Sequence, residues 1–151
     1  MAEVVPLARS ESAWAGWVTL LVVLLFALLA IYLLVTPRLV RFDVSATGLT
    51  ITGDWLYGRL IPLADIRAKD ARSVDLTADR DYQTTARLNG AGLPNYKAGW
   101  FRLKNGEKAL VFLSDQRHVV YIPGRTGYSV LLSVNSPANF IEKLKAAGSG
   151  S

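Results

Sequence analysis

An unbroken run of uncharged residues near the N-terminus limits what this chain can fold into more than any other feature. The run extends from Trp14 to Thr36, and its centre, residues 20–35, is almost wholly Leu, Val, Ala, Ile and Phe. As a helix it would span about 34 Å at a rise of about 1.5 Å per residue, and the hydrocarbon core of a bilayer is about 30 Å thick. Since no face of such a helix would be polar, we predict a transmembrane helix over residues 14–36 rather than a helix packed in a soluble core.

The residues that flank this run are typical of the two membrane–water interfaces. Aromatic rings favour the level of the lipid headgroups, and cations beyond the end of a span lie in the same layer. Pro37 is expected to end the helix, and residues 1–13 would form a short N-terminal tail. The predicted membrane-interface residues are Trp14, Trp17, Tyr32, Arg38 and Arg41.

A cleaved signal peptide is the alternative interpretation of the same run. Signal peptides begin with a positive segment, whereas here Arg9 stands against Glu3 and Glu11. The apolar run is also longer than a typical signal-peptide core, and no small-residue cleavage site follows it, so the anchor is favoured. Cations are more numerous after the run than before it, which predicts a single-pass protein whose C-terminal domain is cytoplasmic.

Composition restricts the chemistry of the remaining chain. With 151 residues there is room for one domain beside one membrane segment. There is no cysteine, which excludes disulfides, thiolate nucleophiles and thiolate metal ligands. The net charge of +5 arises from 17 basic and 12 acidic residues that are interspersed, as on an ordinary solvated surface. We therefore expect no nucleic-acid partner.

Beyond the membrane segment the apolar residues alternate, which predicts strands. In Val40–Val44 every second residue is apolar, as in a strand with one buried face. Asn105 and Gly106 both tolerate positive φ and predict a two-residue type I′ hairpin, in which Lys104 would lie opposite Glu107. Further strands are predicted at residues 49–52, 59–61, 71–76, 101–103, 110–113, 119–122 and 128–134.

The last part of the chain has a helical pattern. Pro137 suits the first position of a helix, where no N–H donor is needed. Phe140, Ile141 and Leu144 fall on one side, which predicts a short amphipathic helix packed on a sheet. Residues 148–151 have the sequence Gly-Ser-Gly-Ser and are expected to be a flexible linker or an added tail.

This order of elements and three short runs resemble the bacterial pleckstrin-homology (PH-like) domain family. The runs are Gly99–Leu103, Val120–Pro123 and Gly127–Val134, and the resemblance covers residues 38–147. It implies an α+β, mostly β fold, in which the transmembrane helix is followed by a seven-stranded, partly open barrel with a C-terminal capping helix. Family members often follow membrane helices and some form homo-oligomers. The resemblance therefore implies the bacterial inner (cytoplasmic) membrane and self-association.

The resemblance also implies where a lipid would bind. Eukaryotic relatives bind phosphoinositides through Lys and Arg around the first strand turn. In this chain that turn is Ser45–Gly48, which has no cation, while Arg41 precedes it and Arg59 follows at a distance. No binding residue is transferred from the family.

No residue pattern for catalysis or metal binding stands out. His118 is the one histidine, and without cysteine it lacks the usual partners of a zinc site, so His118 and Asp115 are interpreted as turn residues. Five aspartates between residues 65 and 81 are interleaved with Arg and Lys, which favours local charge compensation. We predict no catalytic residue, metal, cofactor or small-molecule substrate, and hence a non-enzymatic protein.

The most unusual stretch is residues 78–99, which is rich in glycine and is interpreted as a long loop. Such loops often bind partners, although a glycine-rich excursion without a ligand is the simpler interpretation. Its donors and its aromatic side chain suit contact with a protein. The predicted partner-binding residues are Arg87, Asn95, Tyr96 and Lys97.

These observations predict a non-enzymatic interaction module that the helix holds at the lipid bilayer. It would present a loop or a sheet edge to a protein partner or to copies of itself, and confinement to a membrane allows weak contacts to suffice. The alternative is a domain that binds anionic lipid headgroups through Arg38, Arg41, Arg59 and nearby loops. Salt-sensitive binding to anionic liposomes would distinguish the second function from the first.

Overall fold

The computed structural model describes residues 13–54, 56–93 and 95–149. The chain divides into two compact units, Met1–Val35 and Thr36–Ser151. The predicted N-terminal tail lies outside the described residues, apart from Ala13, which is helical.

Helix α1 (Ala13–Leu39) contains the apolar run. Its segment Trp14–Tyr32 is long and apolar enough to cross a membrane by length and composition, with a mean hydropathy of 2.5. Trp14 and Trp17 are 70% and 74% exposed, and Tyr32 is also exposed. The large apolar side chains described in this unit are therefore exposed rather than packed in a core.

The prediction that Pro37 ends this helix was wrong by two residues, because α1 continues to Leu39. Proline fixes φ near the helical value, so its own backbone is compatible with a last helical turn. Arg38 lies in that last turn, and Arg41 begins the following strand.

The second unit is built mainly of strands. Its described residues form nine strands, against the seven that the resemblance implies. The strands are β1 (Arg41–Val44), β2 (Gly48–Thr52), β3 (Leu60–Pro62), β4 (Arg72–Val74), β5 (Thr84–Leu93), β6 (Tyr96–Leu103), β7 (Lys108–Leu113), β8 (Val119–Ile122) and β9 (Ser129–Ser133).

These strands form two partly open sheets. The smaller is antiparallel, in the order β1-β2-β3. The larger has the order β4-β8-β9-β7-β6-β5, in which β7 and β9 are parallel and the other neighbours antiparallel. Helix α2 (Pro137–Ser149) follows the last strand. This architecture confirms the predicted mostly-β, PH-like fold with a C-terminal helix.

The central strands of the larger sheet, β7, β8 and β9, are buried on both faces. Successive side chains of a strand point to opposite faces, and in β7 Leu110 and Phe112 belong to one core cluster while Val111 belongs to another. The first cluster also contains Leu49 of β2 and Leu144 of α2. It is the core that joins the two sheets and the helix, so it fixes where β1 and α2 lie.

The amphipathic character predicted for the C-terminal helix is confirmed. Leu144 is fully buried, and Phe140 and Ile141 pack partly buried against the first cluster. The amide of Phe140 donates to the carbonyl of Ser136 at 3.1 Å, which begins the helical bonding.

Gly148 and Ser149 are helical, so the prediction that they belong to a linker was wrong. A Cβ added at Gly148 would come within 2.8 Å of the Cβ of Ala68. The absence of a side chain therefore lets the last turn of α2 lie close to this neighbour. Gly150 and Ser151 lie outside the described residues.

The hairpin between β6 and β7 differs from the predicted type I′ turn. The amide of Leu103 donates to the carbonyl of Glu107 at 2.8 Å, so these two residues face each other and Lys104 lies in the loop. Gly106, with φ 88°, occupies the left-handed position, whereas Asn105 has no positive φ. A three-residue loop with a left-handed glycine is the next common hairpin after the two-residue types, and Asn-Gly suits both.

The glycine-rich stretch predicted to be a loop is a β-hairpin, so that prediction was wrong. Strands β5 and β6 pair along their length, and β5 is bulged at Thr85 and at Leu88. Gly90 and Gly99 face each other with φ of 152° and 115°, and a Cβ on Gly99 would lie 2.6 Å from the Cα of Gly90. The glycines that weaken the strand pattern are those that let the two backbones approach.

Candidate functional site

The structure brings together three of the four predicted partner-binding residues, though not on one open surface. Asn95, in the turn between β5 and β6, is exposed, and with Tyr96 and Lys97 it lines a pocket of about 420 Å³. Tyr96 is only 8% exposed and belongs to the first core cluster, so it does not offer the predicted aromatic surface. Lys97 is half-buried and its Nζ donates to Thr84 Oγ1 at 2.6 Å. Arg87 is exposed on β5, outside this pocket.

A larger cleft of about 870 Å³ lies beside β1. Strand β1 lines it along its whole length, together with the first half of α2 and the ends of β7 and β9. Among the described residues β2 contributes none to its lining, so the cleft lies on the side of β1 that faces away from the small sheet. Its volume falls in the range of about 300–1,000 Å³ that is usual for ligand-binding sites.

The floor of this cleft is apolar and aromatic. The rings of Phe42 and Phe112 meet edge to face with their centroids 6.1 Å apart. Phe140 of α2 and Tyr96 of β6 line the same space. Such a floor can accept an apolar side chain from a binding partner.

The rim of the cleft is polar and carries both signs of charge. Arg41 and Asp43 are exposed on β1, where they alternate with the inward-facing residues. Asn139 and Lys143 are exposed on α2. A few polar groups around an apolar floor are what orients a ligand in a binding site.

The turn after β7 borders the cleft at Ser114 and is held by side-chain hydrogen bonds. The Ser133 hydroxyl accepts from the amides of Ser114 and Asp115 at 3.2 Å and 3.1 Å, and donates to the Asp115 carbonyl at 2.5 Å. The Asp115 carboxylate lies 2.6 Å from Nδ1 of His118 and accepts from the amide of Arg117 at 2.9 Å. These bonds, above all the one with His118, lower the pKa of Asp115 below its ordinary value of 3.8. The interpretation of His118 and Asp115 as turn residues is confirmed.

A family model described as Bacterial PH domain matches residues 40–148. The chain belongs to the bacterial PH domain family. The match covers both sheets and nearly all of α2, which confirms the resemblance seen in the sequence. Comparisons with curated proteins and with solved structures find no match to this bacterial PH domain. PH-like domains are generally non-enzymatic interaction modules.

A basic pocket of about 660 Å³ borders the first strand turn of this bacterial PH domain. Arg67, Lys69 and Arg125 line it beside Thr47. Its acidic lining residue is Asp70, whose Oδ2 is 3.9 Å from Nε of Arg67, too far for a strong ion pair. The pocket was not predicted from the sequence, because the first strand turn itself contains no cation.

The cations come from distant parts of the PH domain, and tertiary contacts place them. The amide of Arg125 donates to the carbonyl of Asp65 at 2.8 Å, and the amide of Arg67 donates to the carbonyl of Pro123 at 2.8 Å. These two bonds join the segment after β3 to the segment after β8. No local sequence pattern marks such a pairing.

Arg59, one of the cations predicted to contact lipid, lies over an aromatic ring. Its guanidinium carbon is 5.3 Å from the centroid of Trp100, and Nζ of Lys108 is 4.4 Å from the same centroid. Trp100 also meets Tyr128 edge to face at 4.9 Å. Arg41 lines the cleft whereas Arg59 does not, so the structure does not gather the two into one pocket.

A hydrogen-bonded network on the large sheet of the PH domain shows no arrangement for nucleophilic catalysis. The hydroxyls of Tyr121 and Ser129 each donate to Oε2 of Glu107 at 2.8 Å. Burial raises the pKa of Tyr121 above its ordinary value of 10.0, so the phenol remains a neutral donor at neutral pH. Ser129 is 5% exposed and donates its proton to this carboxylate. The network therefore links Glu107, directly before β7, to β8 and β9. Within the described ranges, no group of three His, Asp or Glu residues could hold a metal ion.

Proposed function

We propose that this chain is a membrane-tethered, non-enzymatic interaction module. In this proposal α1 anchors the chain in the bacterial inner membrane, and the cytoplasmic PH-like domain holds a protein partner or a second copy. The observation that carries the proposal is the match of residues 40–148 to a bacterial PH domain, directly after a helix that is apolar enough to cross a membrane.

The exposure of apolar side chains on α1 supports the anchor. Leu21, Phe26 and Leu34 are 66%, 67% and 71% exposed. In water each Å² of such surface costs about 25 cal/mol relative to an apolar environment, and a bilayer supplies that environment. The cations Arg38, in the last turn of the helix, and Arg41, just beyond it, favour a cytoplasmic location for the domain.

The cleft beside β1 supports an interaction role for the domain. It combines an apolar floor around Phe112 with exposed Arg41 and Lys143 at the rim. Protein interfaces have the same composition, with an apolar centre and a polar margin.

Two experiments on the full chain test the proposal. After a carbonate wash the protein is expected to stay in the membrane fraction, and release of the intact chain would contradict the anchor. A photo-crosslinking amino acid at Asn139, in the cleft, is expected to give a discrete adduct in cells. The same amino acid at Lys104, in the exposed loop between β6 and β7, is the matched control and is expected to give none. Equal yields at the two positions would contradict an interaction through the cleft.

A second candidate function, the binding of an anionic lipid headgroup, is favoured by the basic pocket. Arg67, Lys69 and Arg125 outnumber the single lining carboxylate, and each cation near an anionic surface contributes about 1 kcal/mol. The full chain in phosphatidylcholine nanodiscs would be titrated with short-chain phosphatidylglycerol at low and high salt. Salt-sensitive binding that is lost in Lys69→Gln/Arg125→Gln, and kept in Lys145→Gln, is expected. Equal binding of short-chain phosphatidylcholine would contradict this function.

A further inference from the structure

We infer that the cleft receives an extended peptide segment of a partner protein, which pairs with the free edge of β1 as an additional strand. This inference rests on the proposed function, because it names the kind of partner that the module takes. Three independent features carry it: the position of β1 in its sheet, the direction of its backbone hydrogen-bonding groups, and the chemistry of the cleft along that edge.

Strand β1 is the outermost strand of the small sheet. It pairs with β2 on one side, from Arg41 opposite Thr52 to Val44 opposite Leu49. On its other side no described strand pairs with it. The cleft occupies that other side, since β1 lines the cleft and β2 does not.

The direction of the β1 backbone groups follows from the hairpin turn. Ser45 and Gly48 exchange two backbone hydrogen bonds, of 3.0 Å and 3.3 Å. In an antiparallel ladder, hydrogen-bonded pairs alternate with pairs that have no hydrogen bond between them. In this register Arg41 and Asp43 therefore bond to β2, and the amide and carbonyl of Phe42 and Val44 point away from it.

A second hydrogen bond confirms this alternation. Phe42 lies opposite Ile51, and the amide of Ile51 donates to the carbonyl of Arg59 at 2.9 Å, on the far side of β2. Because Ile51 directs its amide away from β1, Phe42 receives no bond from it. The edge of β1 thus presents two donors and two acceptors toward the cleft.

The chemistry of the cleft selects an extended peptide as the occupant. Backbone groups along a strand edge are matched by another extended backbone, and pockets beside the edge select alternate side chains. Here the half-buried Phe42 and Phe140 offer an apolar surface, while Arg41 and Lys143 are the rim cations against one acidic group, Asp43. The expected segment therefore alternates apolar with acidic side chains.

The test uses the full chain in phosphatidylcholine nanodiscs and a defined set of peptides. The peptides are blocked at both ends, five residues long, with valine, leucine or phenylalanine at alternate positions and glutamate between. Hydrogen exchange at the amides of Phe42 and Val44 is expected to slow at least about tenfold on binding. Exchange at Arg41 and Asp43 is expected to change far less, since those amides already bond to β2.

Modified peptides and a variant of β1 distinguish backbone pairing from a general apolar contact. Peptides methylated on the backbone nitrogens that face β1 are expected to bind about tenfold or more weakly, because they lose donors without losing side chains. Val44→Pro removes one outward donor of β1 and spares the ladder with β2, and is expected to weaken binding about three- to tenfold. Val44→Ile keeps the donor and is expected to bind as the unchanged protein does.

Three results would overturn the inference. One is equal affinity for the methylated peptides, which would show that backbone pairing is not used. The second is the absence of any exchange effect at Phe42 and Val44 with millimolar peptide. If either result were found while crosslinking at Asn139 still captured a partner, the proposed function would stand without the added strand. The third is protection of the same two amides that rises with protein concentration without peptide, which would identify a second copy as the occupant.

Discussion

The edges of β1 and β5 both lack a paired neighbour among the described strands, yet they differ in length, regularity and surroundings. Strand β5 (Thr84–Leu93) is the longest in the protein's described part and mostly exposed, and it carries two bulges. Strand β1 (Arg41–Val44) is short and regular and borders the cleft. Bulges disrupt a ladder and protect an edge against further pairing. The bulges of β5 therefore disfavour pairing with a further strand, whereas the regular edge of β1 can pair with one.

The bulged hairpin is also strongly curled. Thr84 pairs with Leu103, at one end of β6, yet Nζ of Lys97, near the other end, reaches Thr84 Oγ1 at 2.6 Å. Bulges and glycines bend strands. This hairpin has Gly90 in β5 and Gly99 in β6. Exposure and length alone are poor guides to a docking edge, because a curled and bulged strand offers no straight ladder.

The largest expected effect tests whether the β5–β6 hairpin depends on the close approach of its two backbones. In Gly99→Ala the added Cβ would lie 2.5 Å from the carbonyl oxygen of Asn89, at a φ of 115°. We expect the free energy of unfolding to fall by about 3 kcal/mol or more. Thermal unfolding in detergent, followed by circular dichroism, measures the change.

Gly92→Ala is the matched control for that substitution. Its Cβ would meet only the Arg87 side chain, at 3.7 Å, which is an ordinary contact. A change within about 0.5 kcal/mol is expected. If both variants were equally stable, close approach of β5 and β6 would not be what requires glycine at position 99.

The next effect tests whether the regular edge depends on the aromatic floor of the cleft. Phe42→Ala removes a half-buried ring from its edge-to-face contact with Phe112. We expect a loss of about 2 kcal/mol, below the 3–5 kcal/mol typical of a fully buried Phe. Hydrogen exchange should quicken along β1 and stay unchanged along β5. Arg41→Ala, at an exposed neighbour, is the control, and equal exchange in both variants would contradict the prediction.

A smaller effect tests the curl of the β5–β6 hairpin. Lys97→Met keeps most of the side-chain volume but removes the hydrogen bond to Thr84, so we expect a loss of about 1 kcal/mol. Lys104→Met, in the exposed loop after β6, is expected to leave stability unchanged. The two variants are compared by chemical denaturation, and an equal response would show that this bond does not hold the hairpin.

The smallest effect concerns the turn after β7, which borders the cleft at Ser114. The lowered pKa of Asp115 means that its contribution to stability is present above its ordinary pKa of 3.8 and is lost as the pH falls through the lower folded-state value. Because the side chain is 47% exposed, we expect Asp115→Asn to cost less than about 0.5 kcal/mol at neutral pH. The difference from the unchanged protein should shrink as the pH falls below 3.8. Thermal melts between pH 3 and pH 7 measure it, with the exposed Asp81→Asn as the control, and a difference that grew at low pH would contradict the prediction.

Much of the fold could be predicted where one face of an element is buried. The alternation in Val40–Val44 and the helical spacing of Phe140 and Leu144 both reflect contact with the first core cluster. Burial of one face spaces the apolar residues with a period of two in strands and about 3.6 in helices, and this spacing can be recognised in a single sequence. The family resemblance rests on the same elements and is confirmed.

The candidate site could be predicted only in part. Arg41 was singled out and lines the cleft, and Tyr96 lines it from within the core. The basic pocket around Arg67 and Arg125 was missed, because pairing between distant segments creates it. Partner binding was predicted in residues 78–99, which were interpreted as a loop because glycine weakens the pattern by which a strand is recognised.

By itself the sequence determined the apolar helix, the alternating strands and the amphipathic C-terminal helix, because local periodicity follows directly from which environment each side chain enters. It left open which strand edge remains free, since that depends on pairing between segments far apart in the chain. Only the tertiary structure decided that β1 stands at the edge of its sheet with the amides of Phe42 and Val44 turned toward a cleft. Backbone hydrogen-bonding groups are the same in every residue except proline. Strand pairing in the folded protein, and not the type of side chain, therefore sets the direction in which they point.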